Sequence, residues 1–247
     1  MNKCTRALLG AVLVVAALVA PSAGTATAAE SESVALRKPF TRELVRFGQR
    51  DRSPYDIEHV RELQIRLKRV GTLRTNPNGK FGTATRAAVR RFQKRQDLRQ
   101  TGVAGVATWR KLLQRSNNNV RTAKRRCAGS GWHVCYDRRN HQVTLWRSGR
   151  MWNTWLVRGG MSSAQTRTGD FTVFRRDKDH VSGLYGSPMP YSQFFSGGQA
   201  LHGSRYMMDP YKGHSHGCVN MYVEDSRQLW NLTHDKRLRV HVYGAWS

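Results

Sequence analysis

His202-Gly203, an interval, then Ser215-His216-Gly217-Cys218-Val219-Asn220 is the stretch on which the reading of this chain turns, with Cys218 sixteen positions after His202. A thiol and an imidazole that meet in space are the minimum for nucleophilic acyl transfer: the imidazole takes the proton and the thiolate attacks a carbonyl. Gly217 lets backbone approach a substrate closely. Successive N–H groups around Gly217 and Cys218 can form an oxyanion hole, where losing one donor costs ~10²–10³ in rate. Ala200-Leu201 reads as a short strand that holds His202 on a rigid element. Two other readings stand beside this one. A lone cysteine is most often a small buried hydrophobe. His202, His214, His216 and Cys218 are also zinc-ligand types, although no carboxylate or second Cys sits at a familiar zinc spacing. His214 reads as a loop residue.

Around this stretch the apolar period is two. Val143, Leu145 and Trp146 suit one strand, Thr154, Leu156 and Val157 another, and Phe171, Val173 and Phe174 a third, with turns at Arg147-Ser148-Gly149 and Gly159-Gly160. A short helix from Val223 to Thr233 precedes a last strand, Leu238 to Tyr243. Short strands with glycine punctuation predict a mainly antiparallel β domain over 127–245, a sandwich or a partly closed barrel.

Upstream, over 56–115, the period becomes helical. Val60, Leu63, Leu67 and Val70 form the stripe of one amphipathic helix. Ser53-Pro54-Tyr55-Asp56 supplies its cap and first turn, and Gly71 stops it. After the Asn76-Pro77-Asn78-Gly79 turn, Thr83 caps a second helix with Ala84, Ala88, Val89 and Phe92 on one face. Thr108-Trp109 opens a third with Leu112 and Leu113. The polar, Asn-rich and basic 116–126 segment reads as a linker, and 30–55 as a tether or arm. The fold class is therefore multidomain α and β.

The first 29 residues carry Lys3 and Arg6, an apolar run from Ala7 to Ala20, and Ala26-Thr27-Ala28. This is the pattern of a secretory leader, too short for a membrane span. Cleavage leaves Cys127, Cys135 and Cys218. Cys127 and Cys135 lie close around a Gly-rich segment, so a local bridge suits an oxidising compartment; three reduced thiols is the other reading. With the bridge formed, Cys218 is the free thiol. The formal charge is +26, from 42 Lys+Arg against 16 Asp+Glu, and leader removal lowers it by two. Such a balance favours polyanionic partners. Export argues against nucleic acid and towards anionic cell-wall polymers or the carboxylates of wall peptides. A merely solubilising surface is the bland alternative.

His202, the interval and Ser215-His216-Gly217-Cys218 together resemble the signature of the L,D-transpeptidases of bacterial cell walls, the YkuD-type domain. Asn220 stands where many members carry Arg, and resembles the actinobacterial branch. Thr166-Arg167-Thr168-Gly169 looks like a turn these enzymes carry, with Arg167 replacing Pro. The resemblance implies Cys218 as nucleophile, His202 as proton donor and acceptor, and Gly203 as the backbone that orients His202. It further implies His216 and Gly217 as loop and oxyanion hole, and Ser215, Asn220 and the lid residue Tyr191 towards substrate, with Phe194 either substrate wall or core. Similar cysteines to Cys127 and Cys135 precede the catalytic sheet in such relatives. The Leu63-Gln64, Asn78-to-Gly82, Thr85-to-Gln93 and Gly102-to-Trp109 stretches resemble the small peptidoglycan-binding helical domain, implying a wall anchor that raises local substrate concentration. The partner is then peptidoglycan, glycan and stem peptide, with no cofactor, no metal and no membrane span. A carboxypeptidase on the same stems, or a non-catalytic wall-binding protein, are the competing functions.

Overall fold

The computed structural model describes residues 38–54, 56–118 and 120–247. The expected leader at 1–29 and the first part of the arm, 30–37, lie outside the described residues.

Three helices, α1 (Val60–Arg69), α2 (Thr83–Arg95) and α3 (Val106–Arg115), form the N-terminal module. Val60, Leu63 and Leu67 of the predicted stripe are fully buried against Ala88, Val89, Phe92, Trp109, Leu112 and Leu113. Each large apolar side chain contributes roughly 1.5–3 kcal/mol by leaving water. Two boundaries differ from expectation. α1 starts at Val60, behind His59 at φ 53°, and Ser53 does not cap it. Instead the Asp51 carboxylate accepts the N–H groups of Glu58, Val60 and Arg61 at 2.9, 3.2 and 2.7 Å. Its charge suits a helix N-terminus. Thr83 is the first residue of α2 rather than its cap, and Ala84 faces solvent.

The described part of the arm, 38–54, is a fitted strap and not a tether. Val45 exchanges two backbone hydrogen bonds with Ala104, at 3.1 and 2.8 Å, and Phe40 and Val45 join the helical core. The segment read as a linker also differs, because Val120–Cys127 forms a helix, α4. Val120, Ala123 and Cys127, at i, i+3 and i+7, give it one apolar face among basic residues. That face packs on Cys135 and Trp146, and Cys127 is disulfide-bonded to Cys135 with 6.3 Å between Cα atoms.

The remaining elements are β1 (Trp132–Asp137), β2 (Gln142–Arg147), β3 (Arg150–Leu156), β4 (Gly169–Thr172), β5 (Arg175–Val181), β6 (Pro188–Ser196), β7 (Gln199–Gly203), β8 (Val219–Met221), α5 (Val223–Thr233) and β9 (Leu238–Tyr243). One sheet runs β3-β2-β1-β9-β4, the other β5-β6-β7-β8. β1 with β9 and β7 with β8 are parallel, so both sheets are mixed. Their inner faces meet through Val134, Tyr136, Leu145 and Trp155 on one side and Phe195, Leu201, Val219 and Met221 on the other. This is sandwich-like packing without barrel closure. Val173 and Phe174 fall in the connection after β4 and do not extend a strand.

A buried charge cluster joins the module to the β domain. Arg42 of the strap meets Glu62 of α1 at 3.0 Å and Asp225 of α5 at 3.3 Å, while Arg66 meets Glu62 at 2.7 Å. Both guanidinium groups also donate to the carbonyl of Thr154 in β3, at 2.6 and 3.1 Å. His59 Nε2 lies 3.3 Å from Asp225 Oδ1. Burial alone lowers a histidine, but Asp225 and then Glu62 outweigh it and raise His59 to about 9. Among the described residues no helix is long and apolar enough to cross a membrane.

Candidate active site

β7 and β8 place the two expected groups on one side of the second sheet. Leu201 and Val219, partners in register, both enter the core. Side chains alternate along a strand, so Ala200 and His202 project to the other side, as do Cys218 and Asn220. His202 is the direct partner of Asn220. Cys218, two residues before Asn220, packs against Ala200, Phe194 and Met189. Thiol and imidazole therefore share one face, a diagonal step apart. Among the described cysteines, Cys218 alone is free.

The His202 ring is fixed by its own neighbour: Nδ1 lies 2.8 Å from the Gly203 carbonyl oxygen. A carbonyl accepts but cannot donate, so Nδ1 carries the proton and Nε2 is left with its lone pair. Gly203 is a packing requirement as well. A Cβ there would stand 2.6 Å from Ser226 Oγ and 3.1 Å from the Val223 Cα of α5. Burial lowers His202 to about 4, against the opposing pull of the Gly203 carbonyl. Burial also pushes the Cys218 thiol up, opposed by the Ala200 N–H. Both shifts favour a neutral thiol beside a neutral imidazole over the imidazolium-lowered cysteine that a contact pair leads one to expect.

The loop before Cys218 is held from within. Ser215 Oγ donates to the Cys218 carbonyl at 2.6 Å and accepts the Gly217 N–H at 3.0 Å. Ser215 N–H donates to Gly159 and Ser215 O accepts from Met161. Two expectations change accordingly. The Ser215 hydroxyl is taken up by the loop, away from the substrate role assigned to it, and the Gly217 N–H is already donated and does not point into an oxyanion hole. Gly217 adopts φ 120°, and a Cβ there would meet Gln199 Nε2 at 2.5 Å, so the position requires glycine.

His216 stacks on Tyr185 of the β5–β6 connection, ring centroids 4.4 Å apart, which brings that hairpin over the 215–218 loop. Tyr191, expected on the substrate wall, is half-buried with its ring 6.2 Å from that of Trp230 of α5, at a backbone φ of 59°. Phe194 is buried beside Cys218 and so belongs to core and site wall at once. The buried Asn220 exchanges backbone hydrogen bonds with Arg158 at 2.8 and 2.9 Å, and its side chain lies beside His202 with Oδ1 unpartnered.

Three residues near the pair were not singled out from sequence. The Arg158 guanidinium donates to the Lys212 carbonyl at 3.1 Å and opposes protonation of His202. His180 meets Phe194 edge-on at 5.0 Å. Gln199 bridges Gln165 O and Arg167 N–H behind Gly217. None belongs to a local motif, and only the sheet brings them together.

The zinc reading fares poorly on donor geometry. His216 stacks on Tyr185, His214 lies against Trp246 at 5.3 Å, and His202 Nδ1 is held by Gly203. The one cluster of described His, Cys, Asp or Glu atoms close enough to hold an ion is His59, Glu62 and Asp225. Arg42 and Arg66 already pair with its carboxylates.

Comparison with known proteins agrees with the architecture. Residues 57–112 match the family of putative peptidoglycan binding domains, and residues 131–242 match the L,D-transpeptidase catalytic domain, YkuD. The C-terminal domain therefore matches the YkuD L,D-transpeptidase catalytic domain, and the helical module before it matches a peptidoglycan binding domain. An L,D-transpeptidase structure from Stackebrandtia nassauensis is 26% identical, with a TM-score of 0.50, over 85% of this chain and 98% of that one. Another, from Xylanimonas cellulosilytica, is 27% identical over 83% of this chain and 100% of that one, with a TM-score of 0.47. The zinc D-Ala-D-Ala carboxypeptidase of Streptomyces albus G is 35% identical over 154 residues, 57% of this chain. The chain spans 58% of that curated relative's length.

Proposed function

We propose that this protein is an exported cysteine L,D-transpeptidase that forms 3→3 crosslinks in peptidoglycan. The observation that carries the reading is His202 and Cys218 on one sheet face, with Nδ1 tied to the Gly203 carbonyl so that the lone pair stays on Nε2. In the reaction, Nε2 takes the Cys218 proton as sulfur attacks the carbonyl of the third residue of a tetrapeptide stem. The C–N bond to the terminal D-Ala breaks, the departing amine takes the proton back, and a thioester remains. The side-chain amine of an acceptor stem then attacks the thioester, gives a proton to Nε2, and releases the thiol. The Gly203 carbonyl takes the place a carboxylate holds in a triad.

The half-buried Cys218 has no charged partner among the described residues to lower its pKa, so removal of its proton falls to a general base. Water in place of the amine would make the protein a carboxypeptidase. Incubation with disaccharide-tetrapeptide separates the two: crosslinked dimers support the proposal, monomeric tripeptide alone supports hydrolysis. A carbapenem should add its mass to Cys218 and not to the Cys218→Ser variant. Intact protein with neither adduct nor product would leave a wall-binding module. Loss of activity with a chelator would point to metal chemistry instead.

A further inference from the structure

A second feature lies outside the catalytic pair. In the β2–β3 hairpin, Arg147 and Arg150 face each other directly across a two-residue turn, Ser148-Gly149, at φ 46° and 76°. Like charges in opposed cross-strand positions are destabilising, and among the described residues no acidic side chain pairs with them. The Arg147 guanidinium lies 5.4 Å from the ring centroids of both Trp132 and Trp152, which meet edge-on at 5.5 Å. This contact holds Arg147 in place and leaves its hydrogen-bonding edge free. A groove of about 640 Å³ opens beside the hairpin, between the two modules. Phe40, Arg110, Gln114, Arg147, Arg150 and Trp152 line it, and no Asp or Glu does. Among the described residues none of the three arginines forms an ion pair or a side-chain hydrogen bond. The walls are tied by Phe40 N–H to Trp152 O at 3.0 Å and by Ser148 N–H to Gly131 O at 2.8 Å.

We propose that this groove binds a uniformly anionic, phosphodiester-linked wall polymer of polyol or sugar phosphates. Guanidinium forks match non-bridging phosphate oxygens in pairs, and the exposed indole edge offers a surface for the carbon skeleton of a repeat. A stem peptide fits worse, because its free amine would meet three cations and no acceptor carboxylate. The choice of polymer rests on the exported, wall-facing reading above.

The test uses the full chain carrying Cys218→Ala, so that binding is read independently of acyl transfer. A poly(glycerol phosphate) oligomer is titrated by calorimetry and tryptophan fluorescence at several salt concentrations. The triple variant Arg110→Gln/Arg147→Gln/Arg150→Gln should weaken binding about tenfold or more and lower the salt slope by about 2. A control triple at the exposed Arg74, Arg121 and Arg227 removes the same charge elsewhere and should cost less than about threefold. The exposed single variant Arg150→Gln guards against misfolding and should already weaken binding, with Tm unchanged or raised. The proposal is overturned if both triples lose affinity equally, if Arg150→Gln has no effect, or if no binding occurs. It is also overturned if polyglutamate of matched charge or disaccharide-tetrapeptide binds as tightly as the phosphate oligomer.

Discussion

His202 is oriented by the carbonyl of the residue that follows it, Gly203, at 2.8 Å. The imidazole and the carbonyl that orients it therefore lie one peptide bond apart. No side chain can be mutated to separate them, and the bond survives as long as the end of β7 keeps its shape.

The first prediction concerns that shape. Gly203→Ala places a methyl group against Ser226 Oγ and the α5 backbone, an overpacking that costs roughly 1–3 kcal/mol. Relief by backbone movement swings the carbonyl off Nδ1, so kcat should fall more than stability alone explains. Adding Ser226→Gly should restore part of both. Thermal melts and single-turnover acylation measure the two effects; unchanged acylation in a destabilised Gly203→Ala protein would detach the carbonyl from catalysis.

A pH profile follows from the pair. Burial pushes His202 down to about 4 and the thiol above its ordinary value. The competent form, neutral thiol with neutral imidazole, then persists across the neutral range. The rate of carbapenem acylation should be flat from about pH 5 to 8, falling only as His202 protonates. A bell centred near pH 6–7 would show a thiolate–imidazolium pair and contradict the geometry.

The buried charge cluster gives a stability prediction of opposite sense. His59 is about 9 when folded against 6.5 ordinarily, so the folded state holds its proton more tightly. That contribution, roughly 3 kcal/mol at most, is fully present below pH 6.5 and is lost as pH rises through 9. Tm should decline over this interval, and His59→Phe should flatten the decline. An unaltered pH slope in His59→Phe would mean the histidine is not the titrating group.

Removing Glu62 should be costlier than removing His59. Arg42 and Arg66 both pair with it, and burial, which raises a carboxylate, is overcome by those two guanidiniums, holding Glu62 well below its ordinary range. Glu62→Gln leaves two buried cations short of a partner, a loss of about 3–5 kcal/mol. Denaturant titration should show it, and the intramodule core alone should not rescue it.

How much of this was legible beforehand depends on how local each signal is. The α5 and β9 bounds and the α1 stripe could be read because their cues lie within a dozen residues. α4 was hidden by basic residues around a three-residue apolar face. β5, Arg-Arg-Asp-Lys-Asp-His-Val, is a largely solvent-facing strand whose composition argues for a loop, and only pairing with β6 defines it. The strap escaped because Arg42 counts as a surface residue until Glu62 and Asp225, 20 and 183 positions away, come to meet it. The Ser215 hydroxyl and Gly217 N–H were assigned to substrate because a motif names residue types and says nothing of which polar groups already satisfy one another.

The Arg42–Glu62–Asp225 cluster also bears on how such a protein would work along a polymer. With buried ions bridging strap, α1 and α5, the helical module and the cleft turn together like the two jaws of a caliper locked at one opening. The reach from hold to cut would then be a fixed length of the molecule. Lengthening the chain at Asn117-Asn118 should leave the radius of gyration seen by small-angle scattering nearly unchanged, whereas a leash would let it grow.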